Sequence, residues 1–119
     1  MRRKMGSKYY KRLKEIDGLG LPPMPNKDFE PVFHQFVLRT SKRDELKANL
    51  ELHSIEGGIH YPIPRHLQPA YKQRFGFKGG EYKNSEILSK ECLSLPMHVF
   101  LTDDQISYVC EVTEEFFNK

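Results

Sequence analysis

GIHYPIPRHLQPAY, running from Gly58 to Tyr71, is the stretch around which the rest of the chain is organised. Each of its three prolines fixes its own φ angle and pushes the preceding residue toward extended geometry. We therefore predict that Tyr61, Ile63 and Gln68 are not helical. A segment stiffened in this way loses little conformational entropy on folding, which suits it to presenting imidazole, phenol and amide groups to a polar ligand. The alternative is a stiff crossover loop whose side chains are satisfied within the protein.

Length and composition indicate one globular domain or a piece of one. The chain has 119 residues, of which 38% are hydrophobic and 29% charged, enough for a modest core and unlike a disordered segment. No apolar run reaches membrane-spanning length, and the charged start lacks the apolar core of a secretory signal. We therefore predict a cytoplasmic protein with no membrane partner. Cys92 and Cys110 form no close-spaced pair, so we expect reduced, buried thiols.

The first 20 residues predict a basic amphipathic helix. Residues 1–14 hold seven of the 19 basic residues and no acid, which leaves 12 basic and 16 acidic residues for the remainder. One helical face carries apolar residues at spacings of four, four and three: Met5, Tyr9, Leu13 and Ile16. The alternative is a nucleic-acid-binding helix. Because the other basic residues alternate with acids and no known nucleic-acid motif follows, we predict no nucleic-acid partner.

Strand and helix patterns alternate after the first helix. Phe29 to Arg39 is nearly continuous in apolar residues, as expected of a strand covered on both faces, and His34 within it is predicted to be a hydrogen-bonded core residue. Shorter strands are predicted over Ile55 to Tyr61 and Leu93 to Pro96. This alternation favours an α+β fold, with helices packed on a small sheet.

Three helix starts can be read from capping residues. Ser41 with Asp44 resembles a capping box and predicts a helix to about His53, with Leu46 and Leu50 buried. Asn84 or Ser85 is predicted to cap a short helix through Cys92, after an exposed glycine-rich loop over residues 74–85. Thr102 with Gln105 forms a second capping box, opening a helix with one apolar stripe: Ile106, Val109, Cys110, Thr113, Phe116 and Phe117.

Catalytic motifs are absent from the chain. His60 and His66 are the only closely spaced histidines, and the prolines between them exclude helical presentation of both to a metal. No C-x-x-C or H-x-x-x-H spacing occurs, and Gly79-Gly80 is not followed by the Lys-Ser/Thr of a phosphate loop. We therefore predict no metal ligand, no cofactor-binding residue and no catalytic residue in this chain.

Three motifs together resemble the carboxyl-terminal part of the DegT/DnrJ/EryC1/StrS family of pyridoxal-phosphate-dependent sugar aminotransferases. They are the opening stretch, VFHQFVLRTSKRDELKANL from Val32 to Leu50, and LSLPMHVFLTDDQISYV from Leu93 to Val109. The resemblance implies a small, mostly antiparallel sheet with packed helices, the C-terminal domain of an aspartate-aminotransferase-like fold, over residues 21–119. Residues 1–20 would belong to the helix that connects the two domains, so we expect their apolar stripe to be exposed in the isolated chain. The chain departs from the family at Ser54, where glycine is usual, and near Lys83, where a proline is usual.

The same resemblance implies a function. The complete enzyme would use pyridoxal phosphate to transfer an amino group from an amino acid, with glutamate expected, to a ketosugar nucleotide in polysaccharide or secondary-metabolite sugar biosynthesis. It would act as a homodimer. A large domain would supply the cofactor lysine, so we expect this chain alone to be inactive. The family's dehydratase branch, in which the cofactor lysine is replaced, stays open.

The resemblance also assigns site residues. His60 and Tyr61 match the family's His-Tyr-Pro positions, which implies contact with the nucleotide sugar. His66 and Gln68 match the following His-Leu-Gln, which implies that they support this substrate-binding loop. A hypothesis from another class is a non-catalytic stand-alone module that binds a sugar nucleotide or a partner protein.

Overall fold

Five α-helices, a short 3₁₀ helix and two strands make up the fold of residues 1–119, all of which the computed structural model describes. In chain order they are α1 (Arg2–Leu13), β1 (Phe36–Arg39), α2 (Arg43–Leu52), the 3₁₀ helix (Arg65–Leu67), α3 (Pro69–Phe75), α4 (Lys83–Glu91), β2 (Cys92–Leu95) and α5 (Asp103–Phe117). The predicted α+β class is thereby confirmed. No helix among them combines the length and the apolar content that crossing a bilayer requires.

The sheet is antiparallel, and Gly58 pairs with the outer edge of β2. β1 and β2 pair with Phe36 opposite Leu95. Each strand gains one further residue pair on its outer edge, Gly20 with Arg39 of β1 and Gly58 with Ser94 of β2. The opening stretch therefore enters the fold hydrogen-bonded to the sheet.

The apolar stripe of α1 is buried, so the prediction that it would be exposed in the isolated chain is wrong. α5 packs against α1, and Met5, Tyr9 and Leu13 are buried in the same core as the apolar residues of α5. The Tyr9 ring lies 5.2 Å from that of Phe36, and its hydroxyl donates to the Pro96 carbonyl at 2.8 Å. The two stripes satisfy each other, so this core closes within the 119 residues.

The contact between α1 and α5 has buried side chains at its centre and an ion pair at its edge. Burial raises the pKa of the Tyr9 phenol, and burial followed by nearby acidic side chains raises the pKa of the Cys110 thiol to about 12. At the rim, Arg12 donates two hydrogen bonds to Glu114 at 2.9 and 2.7 Å. The basic residues of α1 thus face acids of α5, an arrangement that suits helix docking. Both cysteines are free and buried, as predicted.

α2 ends in a Schellman motif that requires left-handed backbone at Ser54. The Ile55 N–H donates to the Leu50 carbonyl and the Ser54 N–H to the Glu51 carbonyl, while Ser54 has a φ of 59°. This is the position at which the resemblance leads us to expect glycine. Leu50 and Ile55 are both buried, which supplies the apolar contact of the motif.

The start of α2 differs from the predicted capping box. Its N-cap is Lys42 and no side chain caps it, while the Thr40 hydroxyl accepts the Lys42 N–H in a turn that precedes the helix. Leu46 and Leu50 are buried as predicted. The Ser41–Asp44 capping box was therefore wrong, although the helix and its buried face were right.

Two predicted strands are shorter than their apolar patterns suggested. Only Phe36–Arg39 of the Phe29–Arg39 run forms a strand, because the chain turns between Asn26 and Phe29 and adopts a φ of 50° at Phe33. His34 is exposed, so its prediction as a core residue was wrong. The Ile55 to Tyr61 strand reduces to the single pair at Gly58.

Of the two predicted caps in the last part of the chain, one is present and the other is not. α5 begins with the predicted capping box between Thr102 and Gln105. α4 begins at Lys83 after Tyr82, so neither Asn84 nor Ser85 caps it. β2 then spans Cys92–Leu95, one residue before the predicted strand. α3 was not predicted.

Candidate functional site

The proline-rich segment is non-helical at the three predicted positions. Tyr61 and Ile63 lie in irregular backbone, and Gln68 is extended with a ψ of 142°. The 3₁₀ helix lies between Pro64 and Gln68, and α3 starts at Pro69, where a missing N–H costs no helical hydrogen bond. The prolines thus divide the segment into short pieces with fixed directions.

A groove of about 460 Å³ lies between this segment and α4. We call it the aromatic groove. Its lining residues are His60, Tyr61, Ile63, Pro64, Arg65, His66, Tyr71, Phe77, Tyr82, Ser85, Leu88, Ser89 and Cys92. Tyr61 is 71% exposed, so its ring and hydroxyl are accessible to a ligand. Three of the four predicted site residues meet at this groove, whereas Gln68 is exposed outside its lining.

His60 also lines a second, more polar groove of about 820 Å³ beside the N-terminal end of α5. We call it the polar groove. His34, His98 and Asp104 are among its lining residues, and no site role was predicted for any of them from the sequence. His60 contacts Tyr61 edge-on at 5.7 Å between ring centroids, and the peptide bond joining the two residues is cis. His60 therefore stands where the two grooves meet.

His66 is held in place from several sides. It is 8% exposed, and its Nε2 lies 2.8 Å from Oε1 of Glu86 on α4. The same Glu86 oxygen accepts the Gly80 N–H at 2.7 Å, while the rings of Phe77 and Tyr82 meet the imidazole edge-on. The bond to His66, and then the one to Gly80, holds the pKa of Glu86 below its usual value. His66 thus joins the proline-rich segment, the glycine loop and α4.

The Glu81 side chain holds the glycine-rich loop through hydrogen bonds to its backbone. Its carboxylate accepts the N–H groups of Lys78 and Gly79, both at 2.8 Å. The Lys78 bond is the main reason that the pKa of Glu81 is lowered. Ligand atoms of His66, Glu81 and Glu86 all lie within 4.8 Å of one another, a spacing that a metal ion would also need. Three backbone donors and an imidazole already occupy these carboxylates, so we interpret the cluster as a loop anchor, and the absence of a metal site stays a prediction.

Pyridoxal phosphate, the cofactor that the resemblance implies, forms its bond to an enzyme through a lysine. No lysine lines the aromatic groove or the polar groove. The residues present do not by themselves fit the cofactor. What the two grooves offer is a set of imidazole, phenol, hydroxyl and guanidinium groups around an aromatic floor, which suits a polar ligand with ring systems.

Comparisons of the sequence with known proteins agree on one family. A sequence profile of the DegT/DnrJ/EryC1/StrS aminotransferase family matches residues 1–114. The chain is 40% identical over 117 residues to a pleiotropic regulatory protein of Geobacillus stearothermophilus, covering 98% of this chain and 31% of that protein. It is 34% identical over 112 residues to dTDP-3-amino-3,4,6-trideoxy-alpha-D-glucose transaminase of Streptomyces venezuelae, covering 94% and 29%.

Solved structures agree with these sequence matches. The crystal structure of S. venezuelae DesV superposes with a TM-score of 0.93 at 33% identity, covering 99% of this chain and 31% of that one. The chain thus spans about 30% of the length of the relatives it matches, consistent with a C-terminal part. Aminotransferases of this family depend on pyridoxal phosphate, which confirms the cofactor prediction for the family. The chain therefore belongs to the DegT/DnrJ/EryC1/StrS aminotransferase family.

Proposed function

We propose that this chain is the substrate-side part of a pyridoxal-phosphate-dependent sugar aminotransferase that aminates a ketosugar nucleotide, with glutamate as amino donor. The observation that carries the proposal is the aromatic groove, where His60, Tyr61 and His66 meet. The transaminase from S. venezuelae, named for a dTDP-linked amino sugar, supports a nucleotide-sugar substrate. The pathway would be polysaccharide or secondary-metabolite sugar biosynthesis, in the cytoplasm.

The residues divide the work by chemistry. The Tyr61 hydroxyl and the His60 imidazole can hydrogen-bond to the oxygens of a sugar or a phosphate. Arg65, which also lines the groove, carries a guanidinium that matches phosphate geometry. His66 and Gln68 would support the loop, His66 through its bond to Glu86. Because the grooves contain no lysine, the role proposed for this chain is limited to holding and orienting the substrate.

We also propose a division of the chain. Residues 1–20 would be part of the helix connecting two domains of a complete enzyme, and residues 21–119 the small C-terminal domain. Such an enzyme would be a homodimer. The packing of α1 on α5 supports a fixed orientation of the connecting helix on this domain.

A second candidate is a non-catalytic stand-alone module that binds a sugar nucleotide or a partner protein. The burial of Met5, Tyr9 and Leu13 within the chain's own core favours it, because a domain that closes its own core does not need another to fold. The two candidates share the groove and differ in whether a cofactor-bearing domain acts with it.

A chimera separates them. The chain would replace the matching 112-residue region of the S. venezuelae transaminase, to which it is 34% identical, and formation of the amino sugar would be measured. We expect activity in the chimera and a loss of about tenfold or more in kcat/KM for His60→Ala and for Tyr61→Phe, which corresponds to roughly 1.4 kcal/mol of lost binding. His53→Ala is the matched control, because His53 lines neither groove.

The outcomes differ clearly. Full activity in both site variants would remove the proposed substrate contacts. A folded chimera with no activity, whose isolated chain still binds a dTDP-sugar, would favour the binding module.

A further inference from the structure

Gly58 and Ser94 form a close backbone pair directly below His60. The Gly58 N–H donates to the Ser94 carbonyl at 3.0 Å, and the Ser94 N–H donates to the Gly58 carbonyl at 2.7 Å. The imidazole of His60 lies over Gly58: a Cβ atom there would come within 2.7 Å of His60 Cε1 and 3.3 Å of its Nδ1. Only glycine leaves this space free, so the ring position depends on the absence of a side chain at residue 58.

The Ser94 hydroxyl, on β2, contacts the same ring. Its Oγ lies 3.3 Å from His60 Nδ1, and the side chain belongs to a residue only 7% exposed. No other acceptor for this hydroxyl is found in the protein. Since a buried O–H without an acceptor is costly, the hydroxyl should donate and Nδ1 should accept.

The direction of this bond determines the tautomer. A neutral imidazole has one N–H and one bare nitrogen, and the partner of one nitrogen sets the state of the other. With Nδ1 accepting from Ser94, the hydrogen resides on Nε2. Nε2 has no hydrogen-bond partner in the protein, and the His60 side chain is exposed where the aromatic and polar grooves meet.

We propose that Gly58 and Ser94 are positioning residues that seat the His60 ring and fix its Nε2–H tautomer, so that His60 presents a hydrogen-bond donor to an oxygen acceptor of the ligand. The role of the ligand rests on the proposed function, in which the acceptor is a phosphate or hydroxyl oxygen of a nucleotide sugar. The seat itself is a property of the free chain. His60 is thereby assigned as a donor, which the sequence did not establish.

The test uses the full chain labelled with ¹⁵N, without substrate. Long-range ¹H–¹⁵N spectra of the imidazoles at about pH 8, where histidine is ordinarily neutral, report which ring nitrogen carries the hydrogen. We expect His60 to show the Nε2–H form in the unaltered chain and a mixture of forms in Ser94→Ala. Ser94→Thr keeps the hydroxyl and should keep the single form.

Two further variants distinguish the specific positioning of the His60 ring from a general disturbance of the structure. Gly58→Ala retains Ser94 but places a methyl group against the ring, so it should also yield a mixture. Ser89→Ala removes another buried serine hydroxyl, one that donates to the Glu86 carbonyl, and should leave the His60 form unchanged. A Nδ1–H form in the unaltered chain, or a folded Ser94→Ala with unchanged His60 nitrogens, would overturn the proposal.

Kinetics of the chimera keep the two proposals distinguishable. Ser94→Ala should reduce kcat/KM severalfold, and should have no further effect once His60 is alanine. If Ser94→Ala changes the His60 tautomer but not the kinetics, the substrate contact of His60 is contradicted, while the positioning of its ring by Gly58 and Ser94 is supported.

Discussion

Tyr9→Phe is expected to lower the free energy of unfolding although it removes a single oxygen atom. The Tyr9 side chain is fully buried, and its hydroxyl donates to the Pro96 carbonyl at 2.8 Å. The substitution keeps the ring against Phe36 but removes the donor, and it leaves the partly buried Pro96 carbonyl with one partner fewer. Lost hydrogen bonds of this kind cost about 1–2 kcal/mol, including the unsatisfied acceptor.

The expected loss is large enough to measure in both heat and urea. In a domain of this length it should lower the melting temperature by roughly 4–8 °C, and it should move the urea midpoint without changing the slope. Tyr10→Phe is the matched control. Tyr10 packs against the same core only partly buried, and its hydroxyl makes no hydrogen bond in the protein, so its loss should be near zero.

The comparison also tests the docking of α1. If Tyr9→Phe and Tyr10→Phe are equally stable, the Pro96 bond contributes nothing and α1 is not held as described. Tyr9→Ala should cost about 3–5 kcal/mol, as truncation of a buried aromatic residue does. A chain that tolerates Tyr9→Ala with no loss of stability would show that its apolar stripe is exposed after all.

Three other perturbations have defined outcomes. Ser54→Gly should raise the free energy of unfolding by about 0.5–1 kcal/mol in a urea titration, because glycine adopts the observed left-handed backbone without a Cβ penalty; a loss of stability would contradict the Schellman geometry. Arg43→Ala should destabilise by about 2 kcal/mol or more, since this buried guanidinium donates to two carbonyls where α4 meets β2, and Arg43→Lys should recover little of it. Stability should fall as the pH rises from about 9 toward 12, because the folded state raises the pKa values of Tyr9 and Cys110 and therefore holds protons that the unfolded chain releases. The fall of unfolding free energy with pH should be shallower in Tyr9→Phe than in the unaltered chain. Equal slopes in the two proteins would show that Tyr9 does not contribute.

Local chemistry was readable from the sequence where one short motif decides the structure. The Thr102–Gln105 capping box needs only residues three apart, and the non-helical backbone at Tyr61 and Gln68 follows from the proline after each. Ser41 and Asp44 have the same pattern as Thr102 and Gln105 but do not cap α2. There, the Thr40 hydroxyl accepts the Lys42 N–H in a turn that precedes the helix.

Features that depend on distant partners were not readable. The stripes of α1 and α5 were both recognised, yet nothing local indicates that they cover each other rather than a further domain. Likewise, the His66–Glu86 bond joins residues 20 apart, and the Ser94–His60 contact joins residues 34 apart. The apolar run before β1 also gave no sign that Phe33 turns the chain to pack over Gly6. Each of these features depends on residues distant in sequence, which no local pattern reports.

An NMR titration of the full chain with a dTDP-sugar tests the substrate contacts most directly. Backbone and side-chain signals would be followed up to millimolar ligand, with free glucose as the control for unspecific effects. We predict that the largest shifts occur at His60, Tyr61 and the other residues of the aromatic groove, and that Tyr61→Phe weakens the binding. Shifts confined to α1 and α5, or none at all at millimolar dTDP-sugar, would contradict it.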